Sequence, residues 1–420
     1  MTESRNNFDV VVVGGGTSGF AAAVAAARAG ARTLLVERFS CLGGASTNRS
    51  VVTYCGLYTL EDNPRLAVRG VAEEVTGRLK TLGAITEPVR HRGVFVAFDP
   101  EAVKRVLDEI AREAGVTILL GAMVVGAERA GTRVHSVRIA SHAGVVEVQG
   151  NVFVDCTGEG DLAFFAGAAT RYGNGEEANL GTLATRFGGI EPDTVVSADA
   201  VCRAIKAIDP EGIRTTKDRS VVVRLPISGD LVCYLASEDY SPLDPFSMSE
   251  AEARGRQQAW VYLEAIRQLP GCNRAYLVNT GPEFGTRESR HVECISQLDW
   301  ETVQKRASFE DCIALGAWGA EWHDRSTFAS SFDYPPEKKV FEIPLSCLRS
   351  NNTTNLFCGG RLADGDRKAS AAIRVMGTSF ATGQAVGVAA GFAAAGAWNV
   401  QEVQEALRRE GAILDAGDVK

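Results

Sequence analysis

The chain has 420 residues, a formal net charge of −8 and a pI near 5.4, long enough for two domains or for one large domain with an insertion. The acidic balance, with no Lys/Arg block, leaves no electrostatic footprint for nucleic acid. Ten cysteines without one C-x-x-C pair argue against structural zinc, an iron–sulfur cluster or a disulfide scaffold; they read as reduced thiols of a cytoplasmic protein with no metal site.

A polar hexapeptide runs directly into an apolar strand at residues 8–13, which leaves no room for a signal peptide. That strand, Phe8-Asp-Val-Val-Val-Val13, has the β-branched character of a central parallel strand. It flows into Gly14-Gly-Gly16-Thr-Ser18-Gly19 and an Ala-rich helix, and a second apolar strand, Thr33–Val36, ends on Glu37. In this pattern Gly14 permits the tight turn and Gly16 lets the backbone approach a pyrophosphate. Gly19 brings helix against strand, and the helix N-terminus offers free N–H groups to phosphate. Glu37 is placed to accept hydrogen bonds from a ribose diol, and an acid here disfavours NADP.

NAD and FAD share this fingerprint, and three later segments favour FAD. Arg38 and the loop Gly43-Gly44-Ala45-Ser46-Thr47 follow the second strand at once, as a wrap for a second phosphate and a ribityl chain. Asp99-Pro100 caps a helix with apolar positions at Val103, Val106, Leu107, Ile110 and Ala114, ended by Gly115. Strands are expected at 117–120, 123–128, 133–140 and 145–149, with a three-stranded antiparallel meander among them and Val124 a candidate cofactor-binding residue. A separate strand at 152–156 then leads into Thr157-Gly-Glu-Gly-Asp161, where Asp161 is a candidate for the ribityl or pyrophosphate region. Near the end, Asn355-Leu-Phe-Cys-Gly359-Gly360-Arg361 reads as a strand ending in glycines. A helix opening near Thr378-Ser379-Phe380 would aim its N-terminus at the flavin. The charge-free stretch 375–398 has the length of a membrane span, but its Thr, Ser, Gln and five Gly fit a buried small-residue helix, so no membrane insertion is expected.

Between residues 181 and 334 the pattern changes to a hairpin at 221–225 and 231–236 and one long helix at 249–269. If the stretch after Gly285 is helical, Arg287, Arg290 and His291 share a face, and two guanidiniums there could hold a carboxylate. The alternative is a structural lattice with Glu288 and Glu293. His323, between Trp322 and Asp324, is the histidine best placed to take a proton from substrate, ahead of His91, His135, His142 and His291. Tyr54 and Cys55 are candidates for lining the flavin's other face.

Taken together, these residues resemble the FAD-dependent oxidoreductase family with a glutathione-reductase-type Rossmann fold, in the branch similar to fumarate reductase flavoproteins. The resemblance rests on residues 14–19 with Glu37, Leu42-Gly-Gly, residues 155–161, 285–290, 318–324, Ile343-Pro, 355–361 and 373–384. It implies an α/β fold: a discontinuous FAD-binding Rossmann-type domain over 1–180 and 335–420 around an inserted α+β substrate domain over 181–334. It also implies non-covalent FAD, since no histidine lies in the loop 41–48. The loop Gly43 to Thr47 would touch the diphosphate or ribityl chain, and Thr378 to Phe380 would sit against the isoalloxazine. The chain departs from the family at Asp364-Gly-Asp366-Arg367, at Gly377 where Pro is usual, and at Asn48-Arg49. The expected activity is hydride transfer between FAD and a small-molecule substrate, with Arg287 and Arg290 anchoring substrate and His323 moving the proton. Electrons would pass to or from a separate acceptor or donor. The rivals are a flavin oxidase or monooxygenase and a non-redox enzyme like thiazole synthase.

Overall fold

The computed structural model describes residues 6–175 and 178–419; the first five residues of the N-terminal polar segment lie outside the described residues. Strand Asn7–Val13 is buried over most of its length because it lies mid-sheet, parallel to Thr33–Val36 on one side and to the end of Gly144–Asp155 on the other. The full order is Thr117–Leu119, Thr33–Val36, Asn7–Val13, Gly144–Asp155, Arg133–Ser141, Met123–Ala130. Leu356–Cys358 pairs in parallel with Gly144–Asp155, so the C-terminal segment completes the N-terminal sheet. This is the α/β architecture expected, a parallel-dominated Rossmann-like sheet.

One expectation is corrected here. The strands read at 145–149 and 152–156 are a single twelve-residue strand, Gly144–Asp155. Its first half runs antiparallel to Arg133–Ser141 and its second half parallel to Asn7–Val13. Gly150 is a packing position, not a break: a β-carbon there would lie 2.9 Å from the Val11 side chain.

Two helices cover one face. Helix Thr17–Arg28 is half alanine and mostly buried, and helix Met376–Ala395 lies directly on it, with Gly387 packed against the Ala22 backbone. Small residues let the two backbones touch, which explains the glycine-rich composition of 375–398. Among the described residues no helix is long and apolar enough to cross a membrane. Helix Pro100–Glu113 starts where its cap predicts, with the Asp99 carboxylate accepting from Glu101 N–H.

An antiparallel sheet of Val222–Arg224, Leu231–Ala236, Leu183–Gly188 and Tyr276–Asn279 follows, with its own core of Phe187, Tyr262 and Phe284 under helices Ala198–Ile208 and Pro245–Ile266. The long helix begins earlier than 249 because Asp244 caps it with Pro245 at the first position. The chain then returns to the first sheet's neighbourhood: Arg290–Val292 pairs with Thr170–Tyr172, and Cys312–Gly316 with Phe341–Pro344. Ala320–His323 pairs with Ser330–Asp333 in a hairpin.

Candidate active site

The glycine turn after the first strand is built by close approach. Gly14 has φ +96°, and a β-carbon on it would overlap the Cys156 carbonyl; one on Gly19 would overlap the Gly14 carbonyl. Gly16 differs, because a β-carbon there meets nothing nearer than the Gly44 Cα at 3.9 Å. Its outer face is therefore open to a ligand. The Glu37 carboxylate accepts from Gly15 N–H at 2.6 Å and Phe39 N–H at 2.8 Å, which ties the acid to the turn and leaves lone pairs for hydroxyls. Burial raises its pKa against the pull of those two N–H groups.

The second loop docks on the first, with Gly43 N–H bonded to the Gly15 carbonyl at 2.8 Å. The hydroxyls of Ser46 and Thr47 turn inward, to the carbonyls of Gly43 and Leu42. They brace the loop, so what it presents outward is backbone together with Ala45. Gly359 and Gly360 pack against Ser18, and Ser18 lies 3.4 Å from the Cys156 thiol. Val124 is buried in the core beneath the meander.

Beside these loops runs a buried ion network the sequence does not announce. Arg49 bonds Glu159 at 3.1 Å and Glu283 at 2.9 Å; Arg38 also pairs with Glu283, and Arg361 with Glu159. Burial opposes ionisation of Glu159, but Arg361 and Arg49 win and bring its pKa down to about 2. Asp161 heads the short helix Asp161–Phe165, and its carboxylate faces Arg290 at 3.4 Å.

The C-terminal helix begins at Met376, earlier than Thr378, and Ser379 N–H is already bonded to the Val375 carbonyl. The unbonded N–H groups belong to Met376, Gly377 and Thr378. Phe380 is corrected on the same ground: its ring is buried edge-on to Tyr54 at 5.3 Å and its N–H lies inside the helix. Tyr54 is likewise a core residue, stacked near Phe98, whereas Cys55 does reach the cavity described next.

A cavity of about 970 Å³ opens between the loops just described and the antiparallel sheet. Ala45, Arg49, Arg361 and Met376 line one side, and Lys217, Tyr234 and Arg287 line the other. His323, Glu321 and Arg374 also face it. Arg287 donates through Nη1 to the Leu180 carbonyl at 2.5 Å and to Thr182 at 2.9 Å. Arg374 donates to the Glu321 carbonyl at 3.0 Å, and its buried Nε has no partner among the described residues. His323 Nε2 lies 3.5 Å from the Glu321 carboxylate, and its buried Nδ1 has no partner among the described residues. Burial and the neighbouring Arg287 push the His323 pKa down to about 3 despite Glu321, so the ring is neutral. Burial works against ionisation of Glu321, yet His323, Arg374 and Arg287 hold its carboxyl well below the ordinary range.

The structure thus brings Arg287 and His323 together but separates them from Arg290. Residues 287–289 are not helical and Arg290–Val292 is a strand, so the shared face expected of Arg287, Arg290 and His291 does not exist. Arg290 turns to the Glu159 carbonyl and Asp161 and stacks on Phe164. His291 is buried between Glu288 at 2.8 Å and the Ala363 carbonyl. The departure at 364–367 proves to be scaffolding. Asp364 pairs with Arg171 at 2.8 Å and accepts from Cys294 N–H, and Asp366 caps helix Arg367–Ile373 while accepting from Trp300 N–H.

A Rossmann-like sheet carrying a glycine turn, a buried acid tied to that turn and a second glycine loop beside a large cavity is the architecture of a dinucleotide-dependent enzyme. Residues 9–411 match the family described as FAD dependent oxidoreductase, and the chain belongs to that family. It is an enzyme with FAD as its cofactor. The residues fit that group: Gly16 is open to a ligand, and Arg361, which lines the cavity, has a buried Nη1 with no protein partner among the described residues. Among solved structures, a geranylgeranyl bacteriochlorophyll reductase-like protein from Thermoplasma acidophilum is similar at 13% identity, over 96% of this chain and 82% of that one, with a TM-score of 0.44. The anhydrotetracycline hydroxylase OxyS from Streptomyces rimosus is similar at 13% identity over 95% of this chain and 64% of that one, TM-score 0.47. A myxobacterial chondrochloren halogenase is similar at 16% identity over 96% and 79%, TM-score 0.47.

Proposed function

We propose that this enzyme transfers hydride between non-covalent FAD and a small carboxylate-bearing organic substrate held in the 970 Å³ cavity. Residues 181–334 serve in this reading as its substrate domain, and the motifs at 155–161 and 373–384 support a branch similar to fumarate reductase flavoproteins. The observation that carries the reading is His323: a neutral, buried imidazole lining the cavity, its Nδ1 without a partner among the described residues and Glu321 behind its other nitrogen. With Nε2 carrying its proton toward Glu321, Nδ1 is a lone-pair acceptor.

Bound FAD supplies a two-electron acceptor or donor for hydride. Gly16, the loop Gly43 to Thr47, Gly360, Arg361 and the start of helix Met376–Ala395 would hold it. Arg287 and Arg374 orient the anionic end of the substrate, and burial of both guanidiniums strengthens that attraction. His323 Nδ1 takes the proton that leaves as the hydride departs, and returns it in the reverse direction. Anaerobic mixing with hydroxy, amino and saturated carboxylic acids tests this reading, because a substrate bleaches the flavin band. Bleaching only by NAD(P)H, followed by rapid reoxidation in air with an oxygenated product, would assign the chain to the monooxygenases instead.

A further inference from the structure

One cavity group has no role in this scheme. Lys217 lines the cavity from the segment 209–220, which joins helix Ala198–Ile208 to strand Val222–Arg224. The segment is pinned just ahead of it. Asp209 accepts from Ile213 N–H, Arg214 N–H and the Thr215 hydroxyl, and Thr216 bonds the Ser237 carbonyl at 2.7 Å and Gln258 at 2.9 Å. Lys217 N–H itself reaches the Tyr262 hydroxyl at 3.4 Å. The backbone that carries Lys217 is therefore fixed, and its side chain is directed inward rather than trailing in solvent.

Its basic neighbours each have an acid: Lys206 pairs with Asp218, Arg214 with Glu264, and Arg219 with Asp199. Lys217 has no ion-pair partner among the described residues. Arg287, on the same side, and Arg374 also line the cavity, and the carboxylate whose charge acts on all three, Glu321, is already engaged with His323 at 3.5 Å and Arg374 at 3.7 Å. Three cations thus draw on Glu321 in common, while Asp218 on the cavity wall is paired with Lys206 and Asp209 is taken up by its own segment, an arrangement short of negative charge.

We propose that Lys217, with Arg287 and Arg374, forms a three-cation subsite for the substrate's carboxylate, and that the arriving carboxylate draws a proton onto the Lys217 amine. This deepens the reading of the cavity as a substrate site and rests on it. Burial and Arg287 bring the Lys217 pKa down to about 7, so in the free enzyme the amine is divided between its two states near neutrality. The two groups whose charge acts on it, Arg287 and Glu321, do not titrate there, nor do the neighbours that follow. Glu321 is held ionised and His323 neutral, burial raises the Tyr234 and Tyr262 hydroxyls and pushes the Cys55 thiol to about 12, and Arg287 at about 10 keeps its charge. A carboxylate placed among the three cations restores the ammonium, as an opposite charge does for any base.

The test is calorimetric titration of the FAD-loaded enzyme with oxalate, from pH 6 to 9, in pairs of buffers with different ionisation heats. The expected proton uptake at pH 7 is about 0.5 per oxalate, and Kd rises about tenfold per pH unit once the amine is mostly neutral. Lys217→Met should bind at least about tenfold more weakly at pH 6 and take up no proton, and Lys217→Arg should bind without uptake and with little pH dependence. Wild-type affinity and uptake in Lys217→Met, or persistent uptake in Lys217→Arg, overturns the inference. If oxalate binding is lost in Arg287→Met but unchanged in Lys217→Met, the carboxylate reading stands and only the role of Lys217 falls. If wild type binds no oxalate at any pH, the carboxylate reading itself fails.

Discussion

A β-carbon built on Gly383 overlaps the carbonyl oxygen of Ser18, so helix Met376–Ala395 meets helix Thr17–Arg28 backbone to backbone just behind the glycine turn. The Ser18 side chain faces Gly359 and Cys156 at the same point. Four segments distant in sequence therefore converge where the cofactor's phosphates are expected, and the spacing between them is set by the absence of side chains.

The consequence is that Gly383→Ala should force the helices apart. The expected loss is about 1–3 kcal/mol of stability from overpacking, with a lower Tm. The FAD-to-protein ratio after gel filtration should fall with it, since the turn moves with the helix. A variant of unchanged Tm and full FAD content would show that the crossing yields without cost.

Glu37 should matter in the same cradle for a different reason. Its carboxylate accepts two backbone N–H groups, at 2.6 and 2.8 Å. Glu37→Ala leaves the Gly15 and Phe39 donors without that acceptor, a cost of about 1–3 kcal/mol. Apoprotein titrated with FAD, followed by flavin fluorescence, should show at least about tenfold weaker binding, because the acceptor we propose for the ribose is lost as well. Unaltered FAD affinity would remove Glu37 from the site.

What the sequence disclosed is local. The turn Gly14 to Gly19, the acid at 37 and the capped helix after Asp99 are each written in a run of contiguous residues, so pattern and spacing suffice. The cavity is not written that way. Lys217, Arg287, Glu321 and Arg374 come from four separate segments, and nothing in the residues flanking Arg374 marks it as facing Glu321. The same holds for Arg49, Glu159, Glu283 and Arg361, whose pairing crosses the chain from end to end. Helical spacing would gather Arg287, Arg290 and His291 on one face, but the segment is extended, and in a strand neighbouring positions point apart. A basic residue with no acid at helical spacing, such as Lys217, is the one signal that could have been weighed.

His323 should make the chemistry insensitive to pH where an ordinary histidine would not. With its pKa down at about 3, the imidazole stays neutral from pH 8 to 5, so flavin reduction by saturating substrate should show no loss with a pKa near 6.5. His323→Ala should slow that reduction by about 10²–10⁴ while FAD stays bound. Glu321→Gln removes the charge beside Nε2 and should slow it by a smaller factor. Stopped-flow absorbance at each pH checks all three. Reduction in His323→Ala at the wild-type rate would sink the assignment.

The last expectation concerns acid. The folded pKa of Glu159, about 2, lies below the ordinary glutamate value of 4.5. A depressed acid stabilises the fold above its unfolded pKa and loses that contribution as pH falls through the folded value, so the window runs from about pH 4.5 down to 2. The size is about 3 kcal/mol. Glu159→Gln should therefore be less stable than wild type at pH 7, because Arg49 and Arg361 lose a shared charge. The gap should narrow as pH drops below 4.5. His323 also weakens the fold in acid, since the unfolded ring takes a proton below about 6.5 that the folded ring refuses until about 3. That loss is common to both proteins and cancels in their difference. Tm measured for the pair from pH 7 to 3 isolates the Glu159 contribution, and a gap that stays constant into acid would mean that Glu159 is not held ionised by the two arginines.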